Sequence, residues 1–328
     1  IPRGFKYVRA STIDEALKLL NEYGGDAKVL AGGMSLMPML KLRMTEVKYL
    51  VDILGINDLR YVRVDGNYLR IGALVTHNDI AMNRLINDHA KILSESAWHI
   101  ADIQVRNLGT IGGSLAHADP AANYYPALIA LDAEIVIKGI GTERVVKVSD
   151  LYKGPYITDL KPNELITEVR IPLNGFKGVY EFFRRGGAAF PSVIVAVTYQ
   201  ERDGVIADSR IAIGAVYPEP VLVSGQLNGL GVKEVGVKAS DIVNSIFSSI
   251  DAKPLEDTHA PGDYKVRVAR NLLTKALTEI ASGSIQYVKA TTRDDLIKWE
   301  FRDGVEYVGD LVRVRVNVDG QWIEDLVE

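Results

Sequence analysis

Two short segments repeat one piece of chemistry. Ala31-Gly32-Gly33-Met34-Ser35 and Thr110-Ile111-Gly112-Gly113-Ser114 each set paired glycines beside hydroxyls. A dinucleotide presents a pyrophosphate of about two negative charges, which backbone N–H groups at a tight loop or helix start can meet. Glycine permits the close approach. The first segment follows a predicted strand and precedes Leu36-Met37-Pro38-Met39-Leu40, so donors, a hydroxyl and a helix N-terminus could converge there. A Gly-Gly pair after a strand is more often only a turn, so this segment alone decides nothing. The second offers the same groups again, and two such loops could grip one extended cofactor. Beyond it, His117-Ala118-Asp119-Pro120-Ala121-Ala122-Asn123 supplies polar side chains suited to ribityl, ribose or ring edges. Neither a GxGxxG fingerprint nor a Walker sequence occurs, so Rossmann and P-loop readings lack their signatures.

Composition narrows the chemistry. The chain has 328 residues and no cysteine, which excludes a cysteine-ligated iron-sulfur cluster, disulfides and thiol redox motifs. Any redox function must come from an organic cofactor or a partner subunit. The histidines (His77, His89, His99, His117 and His259) show no paired metal spacing, and no metal is assigned. Glu256 and Asp257 near His259 suggest acid-base work, but a polar loop before the last helix explains them equally. Trp98, at helical spacing from Ala101, reads as packing. A formal net charge of -4, without a long basic block, argues against nucleic acid. The longest apolar stretch, about 127 to 137, is broken by Asp132 and Glu134 and is too short to cross a bilayer. Ile1-Pro2-Arg3-Gly4-Phe5 has no apolar signal core, so a cytoplasmic location is expected.

The elements that must hold these segments follow from pattern. A strand at Phe5 to Val8 precedes a capping box, Thr12-Ile13-Asp14-Glu15, and a helix with Ile13, Ala16, Leu17 and Leu20 on one face. Lys28 to Ala31 and Leu50 to Ile53 complete a small β-α-β start. Tyr61 to Val64 and Leu69 to Ala73 flank Asp65-Gly66-Asn67, a hairpin signal that begins a second sheet. Thr76 with Asp79 caps a short helix. Ala90 to Ala101 reads as a helix leading to the second glycine loop, and 124 to 131 as another. Strands follow at 133 to 138, 144 to 148 and 165 to 171. Pro172-Leu173-Asn174-Gly175 marks the best boundary. Strands near 176 to 183, 192 to 199 and 209 to 216 come next, then a helix at about 264 to 281. Residues 282 to 328 return to alternation, as in Val312-Arg313-Val314-Arg315-Val316, with Val305, Tyr307 and Trp322 nearby.

The two loops, the string Arg106-Asn107-Leu108-Gly109-Thr110-Ile111-Gly112-Gly113-Ser114-Leu115-Ala116-His117-Ala118-Asp119-Pro120-Ala121-Ala122, the Leu36 to Met44 segment and the opening Phe5-Lys6-Tyr7 resemble one family. It is the FAD-binding medium subunit of molybdenum hydroxylases, the flavoprotein group of carbon monoxide, glyceraldehyde and xanthine dehydrogenases. The resemblance covers about residues 1 to 281. It implies an α+β fold: a two-lobed FAD-binding domain at 1–174, with a small α/β lobe at about 1–57 and an antiparallel-sheet lobe at about 58–174. A smaller α+β domain at 175–281 and a β-rich tail at 282–328 follow.

By motif position, the resemblance implies FAD contacts from Val29, Leu30, Ala31, Gly32, Gly33, Met34, Ser35 and Leu36, and from Thr110, Ile111, Gly112, Gly113 and Ser114. Ile100 and Ile166 would add apolar contacts, and Asp119 and Asn123 polar ones. Arg184 would stand near the flavin ring, although Arg184-Arg185 also suits a solvated turn. Many relatives carry Asp where Asn123 stands and a polar residue where Met34 stands, so only the backbone contact of Met34 transfers. Val316-Asn317-Val318-Asp319-Gly320 is faintly similar to the first hairpin of a ferredoxin-like subunit, without cluster ligands. The function implied is an electron-transfer subunit of a molybdenum-containing hydroxylase or dehydrogenase. It would take electrons from iron-sulfur clusters of a small partner, beside a molybdopterin-binding large subunit, and pass them to an external acceptor. The alternatives are a self-contained flavin oxidoreductase, for which no acid or base stands out, and a scaffold that has lost the cofactor.

Overall fold

The computed structural model describes residues 2–258, 260–285 and 287, and beyond these the strands at 307–308, 311–318 and 321–327. Contacts divide the chain into two compact units, Ile1–Val288 and Lys289–Glu328.

The first lobe is built on local signals. Strand β1 (Lys6–Arg9) leads into helix α1 (Ile13–Tyr23), whose cap Thr12 accepts from the Glu15 N–H at 3.1 Å. The returning arm of the expected capping box goes one residue earlier, with the Ser11 N–H donating to the Glu15 carboxylate at 2.8 Å. Strand β2 (Ala27–Leu30), helix α2 (Leu36–Lys41) and strand β3 (Tyr49–Asp52) follow. The sheet is parallel with order β1-β3-β2, as a β-α-β chain requires. Ala16, Leu17 and Leu20 of α1 join the same apolar cluster as Val51 and Ile53.

The second lobe begins with the expected hairpin of β4 (Val62–Asp65) and β5 (Tyr68–Gly72), which turns through Gly66 at φ 59°. Helices α3 (His77–Met82), α4 (Arg84–His89), α5 (Lys91–Trp98), α6 (Ile103–Leu108), α7 (Ile111–His117) and α8 (Tyr124–Ala130) come next. After them run β6 (Glu134–Gly139), β7 (Thr142–Lys147), α9 (Val148–Leu151), β8 (Tyr152–Gly154), β9 (Ile157–Thr158) and β10 (Leu165–Pro172). The larger sheet has antiparallel order β4-β5-β10-β6-β7, and α5, α7 and α8 share its apolar core.

After the segment 173–176 come β11 (Lys177–Phe183), β12 (Val193–Arg202), β13 (Val205–Gly214) and β14 (Val221–Ser224), then α10 (Val232–Val237), α11 (Ala239–Ser249) and α12 (Gly262–Ser282). The antiparallel sheet has order β11-β12-β13-β14. Strand β12 is buried without interruption from Val193 to Tyr199. Val193, Val195 and Val197 face the cluster that holds α11 and α12, whereas Ile194 and Ala196 enter the core of the second lobe. A strand covered on both faces loses its polar alternation, and here it welds the two regions together. Asp257 has a structural partner: buried Lys265 donates to it at 2.5 Å and to the Ala215 carbonyl at 3.1 Å. His259 lies outside the described residues.

In the second unit, β15 (Tyr307–Val308), β16 (Leu311–Val318) and β17 (Gln321–Val327) form an antiparallel sheet in that order, with Val312 opposite Val327 and Val318 opposite Gln321. Val305, Asp319 and Gly320 lie outside the described residues.

Candidate functional site

The first glycine segment is an open turn. The chain leaves β2 at Leu30, passes Gly33 at φ 71° and enters α2 at Leu36. That φ is cheap for glycine and costs an L-residue about 1–2 kcal/mol. The carbonyls of Gly33 and Ser35 accept from Met37 and Met39, at 3.0 and 3.2 Å. The N–H groups of Gly32, Gly33, Met34, Ser35 and Leu36 meet no acceptor among the described residues, and the Ser35 hydroxyl makes no cap bond. Successive free amides around a left-handed turn form a concave cradle for an anion.

The second segment, expected as a loop, is the start of α7. Thr110 is its cap, accepting from the Gly113 N–H at 3.2 Å. The other amides are also committed: Ile111 to the Val75 carbonyl (3.1 Å), Gly112 to that of Ala73 (2.9 Å) and Ser114 to that of Thr110 (3.0 Å). A methyl group on Gly112 would lie 2.7 Å from the Ala73 Cβ and 2.8 Å from its carbonyl oxygen. Glycine here serves packing against the end of β5. The Ser114 hydroxyl has no partner among the described residues.

The two segments meet. A methyl group on Gly32 would overlap the Leu108 carbonyl, and one on Gly113 would stand 3.8 Å from the Ala31 Cβ. The structure therefore brings Val29–Leu36 and Thr110–Ser114 to one place, with the end of α6 against Gly32. Asp119 follows α7, accepting from the Ala121 N–H at 2.8 Å and the Tyr156 hydroxyl at 3.2 Å. Asn123 is buried and donates to the Tyr180 hydroxyl at 3.2 Å. Arg184 donates to the His99 carbonyl at 2.9 Å, next to Ile100. Ile166 is set apart, opposite Ile137 in the lobe core and 3% exposed.

Several neighbours were not singled out from sequence. Arg106 donates to the Ile100 carbonyl at 2.9 Å. His77 contacts the Tyr124 hydroxyl at 2.8 Å through ring Nδ1, and its backbone N–H donates to the Gly109 carbonyl at 2.9 Å. Burial, then the Arg106 charge, pulls the His77 pKa down to about 3. His99 packs on Phe182, with ring centroids 4.2 Å apart. Burial, then Arg184 and Arg106, lowers its pKa to about 4. Both rings are neutral near pH 7. Arg106 heads the Arg-Asn-x-Gly-Thr string, which was a signal for it; Tyr180, far along the chain, had none. Among the described residues, no cluster of three or more His, Asp or Glu could hold a metal ion.

A family model described as the FAD binding domain in molybdopterin dehydrogenase matches residues 3–174, and one for the CO dehydrogenase flavoprotein C-terminal domain matches residues 178–280. The chain belongs to the FAD-binding family of molybdopterin dehydrogenases. This flavoprotein chain is 36% identical over 282 residues to the glyceraldehyde dehydrogenase medium chain of Sulfolobus acidocaldarius, covering 85% of this chain and 99% of the relative. Among solved structures, a chain of carbon monoxide dehydrogenase from Hydrogenophaga pseudoflava superposes with a TM-score of 0.77 at 32% identity, over 87% of this chain and all (100%) of that one. A chain of quinoline 2-oxidoreductase from Pseudomonas putida 86 gives 0.80 at 27% identity, with 87% and 100% covered. The expected α+β architecture and the FAD cofactor are borne out. Neither family model extends past residue 280. Among the described residues, no helix is long and apolar enough to cross a membrane.

Proposed function

We propose that this flavoprotein chain relays electrons from iron-sulfur clusters of a small partner subunit, through its FAD, to an external acceptor, while substrate is oxidised at a molybdopterin-binding large subunit. The observation that carries the reading is the run of free amides from Gly32 to Leu36 where the two glycine segments meet. These amides suit a pyrophosphate in number and curvature. The Ser35 and Ser114 hydroxyls stand ready to donate beside it. Thr110, Ile111, Gly112 and Gly113 shape the wall with amides already spent. Ile100 and Arg184 border the ring end, and Asp119 and Asn123 are the polar residues behind α7. Ile166 supports the lobe from inside its core.

Bound FAD supplies a carrier that exchanges electrons one or two at a time, so it can join clusters to a two-electron acceptor. The chain's own residues bind and orient it. With no cysteine in 328 residues, the clusters must sit on another chain. His77 and His99 are neutral near pH 7 and already engaged. Stopped-flow absorbance tests the relay: substrate should leave the flavin of the isolated chain oxidised and reduce it once the molybdenum and iron-sulfur subunits are added. Flavin reduction by aldehyde, carbon monoxide or purine in the isolated chain would make it a self-contained enzyme and end the relay reading.

A further inference from the structure

Beside the glycine segments lies a place where two guanidiniums point at backbone carbonyls and neither is held by a salt bridge among the described residues. Arg106, on α6, donates from Nη1 to the carbonyls of Ile100 (2.9 Å) and Ala101 (3.4 Å). Arg184, just past β11, donates from Nη1 to the carbonyl of His99 (2.9 Å). Two guanidiniums thus converge on three successive carbonyls. Among the described residues neither one forms a salt bridge. Asp102, the carboxylate that Arg106 senses, uses Oδ1 to cap α6 at the Val105 N–H (2.9 Å). Glu95 approaches Lys91 at 3.6 Å and His99 at 4.0 Å. His99, packed on Phe182, brings no charge of its own near neutrality.

Two donors in this place are also unsatisfied. Arg106 Nε and Trp98 Nε1 are buried without a hydrogen-bond partner among the described residues, and the Arg106 guanidinium stands 5.8 Å from the Trp98 ring centroid. A buried N–H left unpaired beside two like charges calls for an acceptor that arrives with negative charge. The place is close to the cofactor cradle: Arg106 lies on α6 two residues before Leu108, whose carbonyl abuts Gly32.

We propose that Arg106 joins Arg184 as a two-guanidinium clamp for the negative charge on the reduced flavin ring. The inference rests on the FAD reading above and adds a residue to it. The balance is simple: two electrons from partner clusters and one proton from solvent turn the oxidised ring into its reduced monoanion. The proton goes to N5 and the charge stays at N1 and its neighbouring carbonyl. The external acceptor then removes both electrons, and the proton returns to solvent. A planar guanidinium suits this spread charge better than an ammonium does.

The test is a spectroelectrochemical titration of the full chain with FAD and no external acceptor, comparing wild type with Arg106→Gln, Arg106→Lys and Arg184→Gln. Each Gln variant should weaken the preference for the reduced monoanion about tenfold, a fall of ~30 mV for a two-electron couple, and Arg106→Lys should recover most of it. Normal FAD content with an unmoved potential in both Gln variants overturns the clamp alone. Equal shifts in Arg106→Gln and Arg106→Lys also overturn it, because shape rather than charge would then be at work. If Arg106→Gln sheds its flavin, Arg106→Lys and Arg184→Gln still read the result. A wild-type chain without flavin overturns the FAD reading and the clamp together.

Discussion

The segments at 31–35 and 110–114 look alike in sequence, with paired glycines and a hydroxyl in each, and they meet in the fold, yet their backbone amides are committed in opposite ways. From Gly32 to Leu36 the amides face no acceptor among the described residues. From Ile111 to Ser114 each amide is paired with Val75, Ala73 or Thr110. The first has donors to give to a ligand; the second has used its donors to build the wall. Glycine follows suit, supplying a left-handed turn at Gly33 and room for a neighbouring backbone at Gly112. Equal composition therefore does not mean equal chemistry, and the accounting of backbone donors is what separates the two.

The sharpest way to break this comparison is to put valine at each place. Gly112→Val pushes a side chain into Ala73 and should cost about 3 kcal/mol of stability, so the melting temperature falls and flavin is lost along with the fold. Gly33→Val costs about 1–2 kcal/mol from the φ it must adopt, so this variant should be colourless while still folded near the wild-type melting temperature. The reverse pattern, with flavin lost by a stable Gly112→Val and kept by a destabilised Gly33→Val, would mean the roles are exchanged.

A smaller effect separates the segments by acid. His77, under Gly109, has its pKa lowered from an ordinary 6.5 to about 3, chiefly by burial. A depressed histidine pKa means that the unfolded chain binds the proton first. Its contribution is complete above about pH 6.5 and drains away as pH falls toward 3, on the order of 2 kcal/mol by pH 5. His99, lowered to about 4, adds in the same direction. Urea unfolding at pH 7 and pH 5 should show the loss, and His77→Gln should reduce the slope. An unchanged slope in that variant would remove His77 from the support of the second segment.

What could be read from sequence was local. The turn at Gly66, the caps at Thr12 and Thr76 and the β-α-β start depend on neighbours a few residues away, and all were legible. Helices α6 and α7 were not, because Gly112 and Gly113 disfavour helix and the start of α7 is held by carbonyls of Ala73 and Val75, nearly forty positions back. Strand β12 concealed its second buried face for a similar reason, since its pattern suits two cores at once. The glycines of the site were visible as residues, but the commitment of their amides was not. Arg106 stood in the string that first drew notice, and its role emerged only when α6 returned its guanidinium to Ile100.

The central claim, that the free amides of the first segment hold the cofactor's pyrophosphate, can be observed amide by amide. Two-dimensional nitrogen–proton NMR of the deuterated chain, recorded without and with FAD, reports each N–H separately. The account predicts large proton shifts and slowed hydrogen exchange at Gly32, Gly33, Met34, Ser35 and Leu36, with Ile111 to Ser114 protected in both states and nearly unmoved. Strong shifts at Ile111 to Ser114 with none from Gly32 to Leu36 would contradict it.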